Sequence, residues 1–341
     1  MAHLVDMATA LRPRPPSPVQ ELRDNRFTSR GLRLLLKRDD LIHSTVPWDS
    51  SALGPVDLYP PGNKWRKLVP NLSAARAAGH TTVLTFGGAY SNHLRATAAA
   101  GRLLGLATIG VVRGHELADR PLNPSLARCA ADGMRLHFVD RATYRRRGEP
   151  EFLDALQERL GPFFAVPEGG SNAAAVHGCA LLGEEIRGTA DVVGVACGTG
   201  GTLAGLAAGL GEGTPALGFP VLRDESPEHF LAAGVRGLQT AAFGGPRGNW
   251  SLESRFHGGG YARRSPALLA FAEDFERRHG LRLEADYVAK ALWGLVTLAE
   301  EGAFPAGTRV MAVVTGRPEP WDAPAGERGA AAAGSPHSSS R

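Results

Sequence analysis

The sequence predicts a two-domain α/β protein with parallel-rich twisted sheets flanked by helices. Three observations carry that prediction. Short apolar runs of strand length alternate with longer amphipathic segments over most of the chain, which is the pattern of strand–helix–strand units. Several of these runs end in glycines that lead directly into a helix start, at Gly87-Gly88, Gly169-Gly170 and Gly198 to Gly201. The chain, at 341 residues, is also longer than the roughly 250–300 residues that one hydrophobic core usually spans.

The elements follow in order. Residues 1–30 read as an extended, proline-rich lead-in, and Gly31 to Asp40 as a strand with a charged end. Ile42 to Pro61 is rich in Ser, Pro and Gly and lacks periodicity, so it reads as a surface loop. Arg66 to Ala78 reads as a helix, with Pro70 awkwardly placed near its first turn. The remaining strands are expected at residues 81–86, 107–113, 135–139, 163–166, 191–196, 217–222 and 309–314. These short apolar strands, alternating with amphipathic helices, imply a parallel sheet with helices on both faces. Helices are expected at residues 91–104, 123–132, 151–160, 228–241, 266–279 and 287–301, with two more ending near Arg187 and Leu210. Residues 67–172 read as a smaller domain inserted into a larger one made of residues 1–66 and 173–317. Residues 318–341, dominated by Pro, Ala, Gly and Ser, read as a disordered tail.

Bulk properties narrow the function. Hydrophobic content of 43% and charged content of 21% are those of a soluble globular protein. No run reaches the ~18 apolar residues of a membrane span. Met1 to Asp24 lacks the positive start and apolar core of a signal peptide. Cys129, Cys179 and Cys197 are odd in number and far apart, which gives neither a disulfide framework nor a metal site and fits a reducing cytoplasm. The net charge of +4 raises the question of nucleic acid. The arginines, however, are scattered among acids. Their densest run, Arg141 to Arg147, is followed at once by Glu149 and Glu151 and reads as solvated surface.

The chemistry centres on a lysine. Among 38 basic residues only four are lysines, at Lys37, Lys64, Lys67 and Lys290. A chain that writes arginine for generic charge keeps lysine where an amine must lose its proton, which a guanidinium does not do at working pH. Two of the four lie in Gly62-Asn63-Lys64-Trp65-Arg66-Lys67, behind a turn signal. Lys64 reads as a Schiff-base lysine; the same stretch also fits two solvated lysines at a helix start. Gly198-Thr199-Gly200-Gly201-Thr202 offers backbone N–H groups and hydroxyls to an anion, or is a plain tight turn. In Gly87-Gly88-Ala89-Tyr90-Ser91-Asn92-His93, Ser91 is a natural helix cap, and the functional reading has Ser91 and Asn92 facing a carboxylate and a ring hydroxyl.

Taken in order, Lys37-Arg38-Asp39-Asp40, Gly62-Asn63-Lys64, Gly87 to His93, Glu168-Gly169-Gly170-Ser171-Asn172 and Gly198 to Thr202 resemble one family. This is the 1-aminocyclopropane-1-carboxylate deaminase / D-cysteine desulfhydrase family of pyridoxal-phosphate enzymes, which has the tryptophan-synthase β-subunit-like fold (fold type II). The resemblance covers residues 15–316. It implies pyridoxal 5'-phosphate as cofactor, held by the larger domain with the site in the cleft. It implies that Lys64 carries the cofactor and that Lys67 with Gly198, Thr199, Gly200, Gly201 and Thr202 holds its phosphate. Asn92 is implied to bond the ring hydroxyl and Thr315 to face the ring nitrogen. Ser91, Asn92, His93 and Tyr287 are implied on the substrate side, with Ser91 and Tyr287 joining Lys64 in the chemistry.

The chain departs from the family pattern at Val288-Ala289 after Tyr287, at Arg317 after Thr315-Gly316, and at Tyr90 before Ser91. The deaminase members carry glutamate at the position of Val288. The function implied is a lyase performing α,β-elimination on a small amino acid, as D-cysteine desulfhydrase does, with release of ketoacid and ammonia. Opening of a cyclopropane amino acid and non-catalytic cofactor binding are the alternatives. A cytoplasmic homodimer that takes a small amino acid, with no nucleic-acid or membrane partner, completes the expectation.

Overall fold

The computed structural model describes residues 16–42, 62–223 and 227–319, the side chains of residues 227–229 excepted. Most of the loop expected at residues 42–61 and of the tail expected at residues 318–341 lies outside the described residues, as do residues 1–15 of the lead-in.

The strands in chain order are β1 (Val19–Leu22), β2 (Arg33–Lys37), β3 (Thr82–Gly87), β4 (Ala107–Arg113), β5 (Met134–Val139), β6 (Phe164–Val166), β7 (Val192–Cys197), β8 (Ala216–Pro220), β9 (Trp250–Leu252) and β10 (Arg309–Val313). The helices are α1 (Asn25–Thr28), α2 (Lys64–Ala77), α3 (Asn92–Leu104), α4 (Pro124–Ala131), α5 (Arg141–Arg145), α6 (Pro150–Leu160), α7 (Ala173–Ile186), α8 (Gly201–Leu210), α9 (Pro227–Phe243), α10 (Pro266–His279) and α11 (Val288–Glu300).

Two sheets result. A six-stranded sheet runs β1-β2-β10-β7-β8-β9, and only its β1–β2 pair is antiparallel. A four-stranded parallel sheet runs β5-β4-β3-β6. All four strands of the second sheet come from residues 82–166, and all six of the first come from outside that stretch. Alternate side chains enter opposite faces, as the two-residue period of a strand requires. On the larger sheet Val192, Ala196, Val310 and Ala312 join one apolar cluster with Phe219, Leu292 and Leu295. Val193, Val195, Met311 and Val313 join another with Leu203 and Leu206 of α8. Both faces are therefore covered, which explains the near-continuous apolar runs of β7 and β10.

Helix α2 starts at Lys64, two residues before the expected Arg66, and continues through Pro70. Proline has no N–H, so the Arg66 carbonyl one turn earlier loses its helical donor. The backbone of α7 packs there instead: a Cβ on Gly178 would stand 2.0 Å from the Arg66 oxygen, so only glycine fits. The strand expected at Gly31 to Asp40 stops at Lys37, because Asp39 turns inward as a fully buried partner of Arg66. Arg141 to Arg145, read as solvated surface, forms the short helix α5 around the buried Tyr144.

Candidate active site

The turns at the C-terminal ends of parallel strands from both sheets converge, as expected for ligand sites in open α/β sheets. The turn after β3 supplies Gly88 to His93, and the turn after β7 supplies Gly198 to Thr202. The end of β10 supplies Thr315, whose carbonyl accepts the Asn63 N–H at 3.0 Å and so fixes the start of α2. Together they enclose a cavity of about 350 Å³.

Lys64 stands on its wall, half-buried, with Nζ donating to Asn63 Oδ1 at 3.3 Å and lying 5.7 Å from the centre of the Tyr287 ring. Burial, reinforced by the positive charge of Lys67, pushes its pKa down to about 7. Lys67, one turn further along α2, donates to the Gly169 carbonyl at 3.2 Å and to Ser171 Oγ at 3.0 Å. Ser171 in turn shares a 2.6 Å hydrogen bond with Thr199.

An anion-sized cradle lies beside these groups. Gly200, at φ +81°, turns the chain into α8 in the left-handed region that favours glycine. A Cβ on Gly201 would stand 2.5 Å from Ser171 Oγ and 3.1 Å from Lys67 Nζ, so the backbone can approach these donors only as glycine. Thr199 and Thr202 also face the cavity. An ammonium, hydroxyls and helix N–H groups make a donor set that fits a phosphate, and an amine with a lowered pKa nearby fits an aldehyde. Pyridoxal phosphate carries both groups, and the residues present fit it.

Across the cavity, Ser91 caps α3 by accepting the Leu94 N–H at 3.3 Å, which leaves its own proton to donate. Asn92 accepts from Arg95, so its Nδ2 is left as a donor. Arg95 is itself bound to Ser125 Oγ at 2.7 Å and paired with Glu319 at 2.8 Å. His93 is buried, with Nε2 2.8 Å from Thr85 Oγ1. That hydroxyl donates to the Val166 carbonyl at 2.9 Å, so His93 Nε2 carries the proton in their shared bond. Burial, then the charges of Lys64 and Lys67, push its pKa down to about 3, and the ring stays neutral. The Tyr287 ring lies over the Gly198 turn and meets Tyr261 edge-on at 6.1 Å between ring centres. Burial, then Tyr261, holds its phenol pKa well above the ordinary value, so it keeps its proton.

Of the residues singled out in the sequence, Lys64, Lys67, Ser91, Asn92 and His93 line this cavity, as do Gly198, Thr199, Gly200, Thr202, Tyr287 and Thr315. Gly201 lies behind the wall, against Ser171. Val288 is buried in the apolar core, and its N–H joins those of Asp286 and Tyr287 on the Glu284 carboxylate that caps α11. Arg317 donates to the Asp40 carbonyl at 3.1 Å. The sequence reading missed Tyr261, Arg113 and Arg147 on the wall. Arg113 ends the parallel strand β4 on the side where such sites lie, a signal that could have found it. In the sequence Arg147 belongs to the arginine run that reads as solvated surface.

Residues 61–316 match a family profile described as pyridoxal-phosphate dependent enzyme. The chain is 28% identical to the bifunctional D-cysteine desulfhydrase/1-aminocyclopropane-1-carboxylate deaminase, mitochondrial, of Arabidopsis thaliana, over 84% of this chain and 72% of that protein. It is 28% identical to the D-cysteine desulfhydrase of Yersinia pestis, over 80% of this chain and 83% of that protein. The crystal structure of an ACC deaminase homologue superposes with a TM-score of 0.70 at 27% identity, covering 88% of this chain and 89% of that one.

Proposed function

Because the chain belongs to the family of pyridoxal-phosphate dependent enzymes and has their fold type II, we propose that it is a lyase catalysing α,β-elimination on a small amino acid, as a D-cysteine desulfhydrase does. The observation that carries this reading is Lys64, an amine with a pKa near 7 beside an anion cradle and facing a protonated tyrosine. Lys64 would carry the cofactor, Lys67 and the turn from Gly198 to Thr202 its phosphate, Asn92 its ring hydroxyl, and Thr315 would neighbour its ring nitrogen. Bound there, pyridoxal phosphate supplies the electron sink that lets an amino acid lose its α-hydrogen as a proton.

The chain's own residues do the rest. Ser91 Oγ donates to the substrate α-carboxylate and fixes its orientation. Lys64 Nζ receives the α-proton. The Cβ–S bond then breaks with its electron pair on sulfur; the Tyr287 phenol, which keeps its proton, donates a hydrogen bond to that sulfur, and the proton taken up by Lys64 Nζ neutralises it. The enamine released takes up water to give pyruvate and ammonia. Thr315 is neutral and Val288 lies in the core, so neither supplies a carboxylate. This favours elimination of a good leaving group over ring opening. The same reading takes residues 67–172 as the inserted substrate-side domain and the flanking segments as the cofactor-binding domain. It takes the protein as a cytoplasmic homodimer; the three cysteines, all free and buried, fit a reducing compartment. Among the described residues no helix is long and apolar enough to cross a membrane.

Screening D- and L-amino acids for ketoacid, ammonia and sulfide tests the reading. Sulfide and pyruvate from cysteine are expected, with negligible α-ketobutyrate from the cyclopropane substrate. Robust α-ketobutyrate would instead select ring opening, and cofactor bound without turnover of any amino acid would reject the lyase. Ser91→Ala should keep the cofactor but weaken substrate binding by about 1.5–3 kcal/mol, the worth of a hydrogen bond to a charged group. Its loss as a helix cap should cost only about 1 kcal/mol of stability. Unchanged kcat/KM in that variant would leave Ser91 with the cap alone.

A further inference from the structure

The cavity holds more positive charge than the proposed lyase function uses. That function places two anions there: the cofactor phosphate at Lys67 and the Gly198 turn, and the substrate α-carboxylate at Ser91. Arg113 and Arg147 also stand on the wall. Both guanidiniums lie over the Tyr144 ring in cation–π contact, its centre 5.6 Å from the Arg113 guanidinium carbon and 5.1 Å from that of Arg147. Such a contact orients a guanidinium while leaving its N–H edge to bind. Tyr144 is itself buried, and its hydroxyl donates to Glu168 Oε1 at 2.9 Å. The other oxygen of Glu168 pairs with Arg147 at 2.8 Å.

Glu168 is the one acidic residue on the cavity wall among the described residues, so it offsets one of the two arginines. Arg113 has no carboxylate partner among the described residues; its contacts are the Tyr144 ring and the turn at Gly88, where a Cβ would stand 3.5 Å from Nη2. That turn leads into Ser91, so the guanidinium lies beside the substrate side of the cavity. Outward, Arg113, Arg147 and Tyr144 continue into an adjoining depression shared with Arg141 and Arg145.

We infer that Arg113, with Arg147 beside it, receives a second anionic group carried on the side chain of the amino-acid substrate. The substrate class is then an amino acid whose side chain ends in a carboxylate, sulfonate or phosphate. This rests on the proposed lyase function and ranks its substrates: cysteine, without that anion, is turned over but binds more weakly than an amino acid that carries it together with a β-leaving group. A guanidinium presents two parallel donors that match the paired oxygens common to these three groups. Arg113 is exposed at the cavity mouth, where the end of a side chain can bind without complete desolvation.

The test is calorimetric titration of the holoenzyme with both enantiomers of aspartate, cysteate and O-phosphoserine. Asparagine and serine serve as uncharged probes. At least one anionic probe should bind about tenfold or more tightly than its uncharged counterpart, the scale of a charge-assisted hydrogen bond; the tightest of the three identifies the anion. Arg113→Gln should remove most of that preference and leave the uncharged probes unchanged, while Arg113→Lys, which keeps charge without the fork, should retain part of it. Equal weakening of every amino acid by Arg113→Gln would assign Arg113 to the α-carboxylate and overturn the inference. Uncharged probes binding the wild-type enzyme as tightly as anionic ones would overturn it too, with the lyase function intact. Binding of no amino acid at all would overturn both.

Discussion

Lys64→Ala is expected to abolish turnover while leaving the protein folded. The substitution removes the amine proposed both to carry the cofactor and to take the substrate's α-proton. Borohydride treatment of the wild-type holoenzyme should fix the cofactor on Lys64, read by peptide mapping, and the variant should take no label. Labelling of Lys67 or Lys290 would defeat the assignment, and the geometry argues against both. Lys67 is committed to Gly169 and Ser171, and Lys290 is buried with its Nζ donating to the Gly260 carbonyl at 2.8 Å. The lowered pKa adds a pH signature. The unprotonated amine is the reactive form, so capture of pyridoxal phosphate by the cofactor-free protein should rise with pH and level off above about 7, whereas an ordinary lysine would keep gaining toward 10.5. Between those two values the folded protein binds fewer protons at this site than the unfolded chain. Stability from this group therefore rises with pH across that window and is lost as pH falls back through it.

Arg66→Met is expected to be the most destabilising substitution near the site. Arg66 is nearly inaccessible to solvent and pairs with Asp39 and Glu185, each at 2.8 Å. Burial alone would lower its pKa, and the two carboxylates more than offset this, leaving it raised. Asp39 has no solvent exposure and also accepts from Ser17 at 2.6 Å, and Glu185 also pairs with Lys37 at 2.7 Å. Removing the guanidinium leaves Asp39 as a buried, undercompensated charge, which costs about 3–5 kcal/mol. Whole domains are stable by only about 5–15 kcal/mol. Urea unfolding should show a large drop in midpoint. A loss below about 1 kcal/mol, the level of an exposed pair, would mean that the network contributes little.

Much of this was legible in the sequence, for identifiable reasons. β4 was legible because its apolar run lies between Gly105, which ends the preceding helix, and Arg113-Gly114. Lys64 stood out because the chain spends arginine elsewhere. β1 and β9 were missed because they are the edge strands of the larger sheet, and Val19-Gln20-Glu21-Leu22 and Trp250-Ser251-Leu252 carry no apolar run such as marks the equally short β6. Tyr261 and Arg147 were missed because side chains far apart in sequence meet only after the turns converge. In the sequence Val288 stands out only because it follows Tyr287, where the resembling family's motif has another residue. The phase of α11 sends that side chain into the core, while Tyr287, at the helix cap, faces the cavity.

The relay from Lys67 through Ser171 to Thr199 joins a helix beside one sheet to a turn of the other. Part of the link between the two sheets is therefore carried by the Lys67 amine and two hydroxyls at the wall of the cavity. Apolar contact offers no specific site to an anion, but these donors do. An anion held as proposed in the cradle would compete for the same donors and touch elements of both sheets at once. The stiffness of that link would then depend on whether the proposed phosphate site is filled.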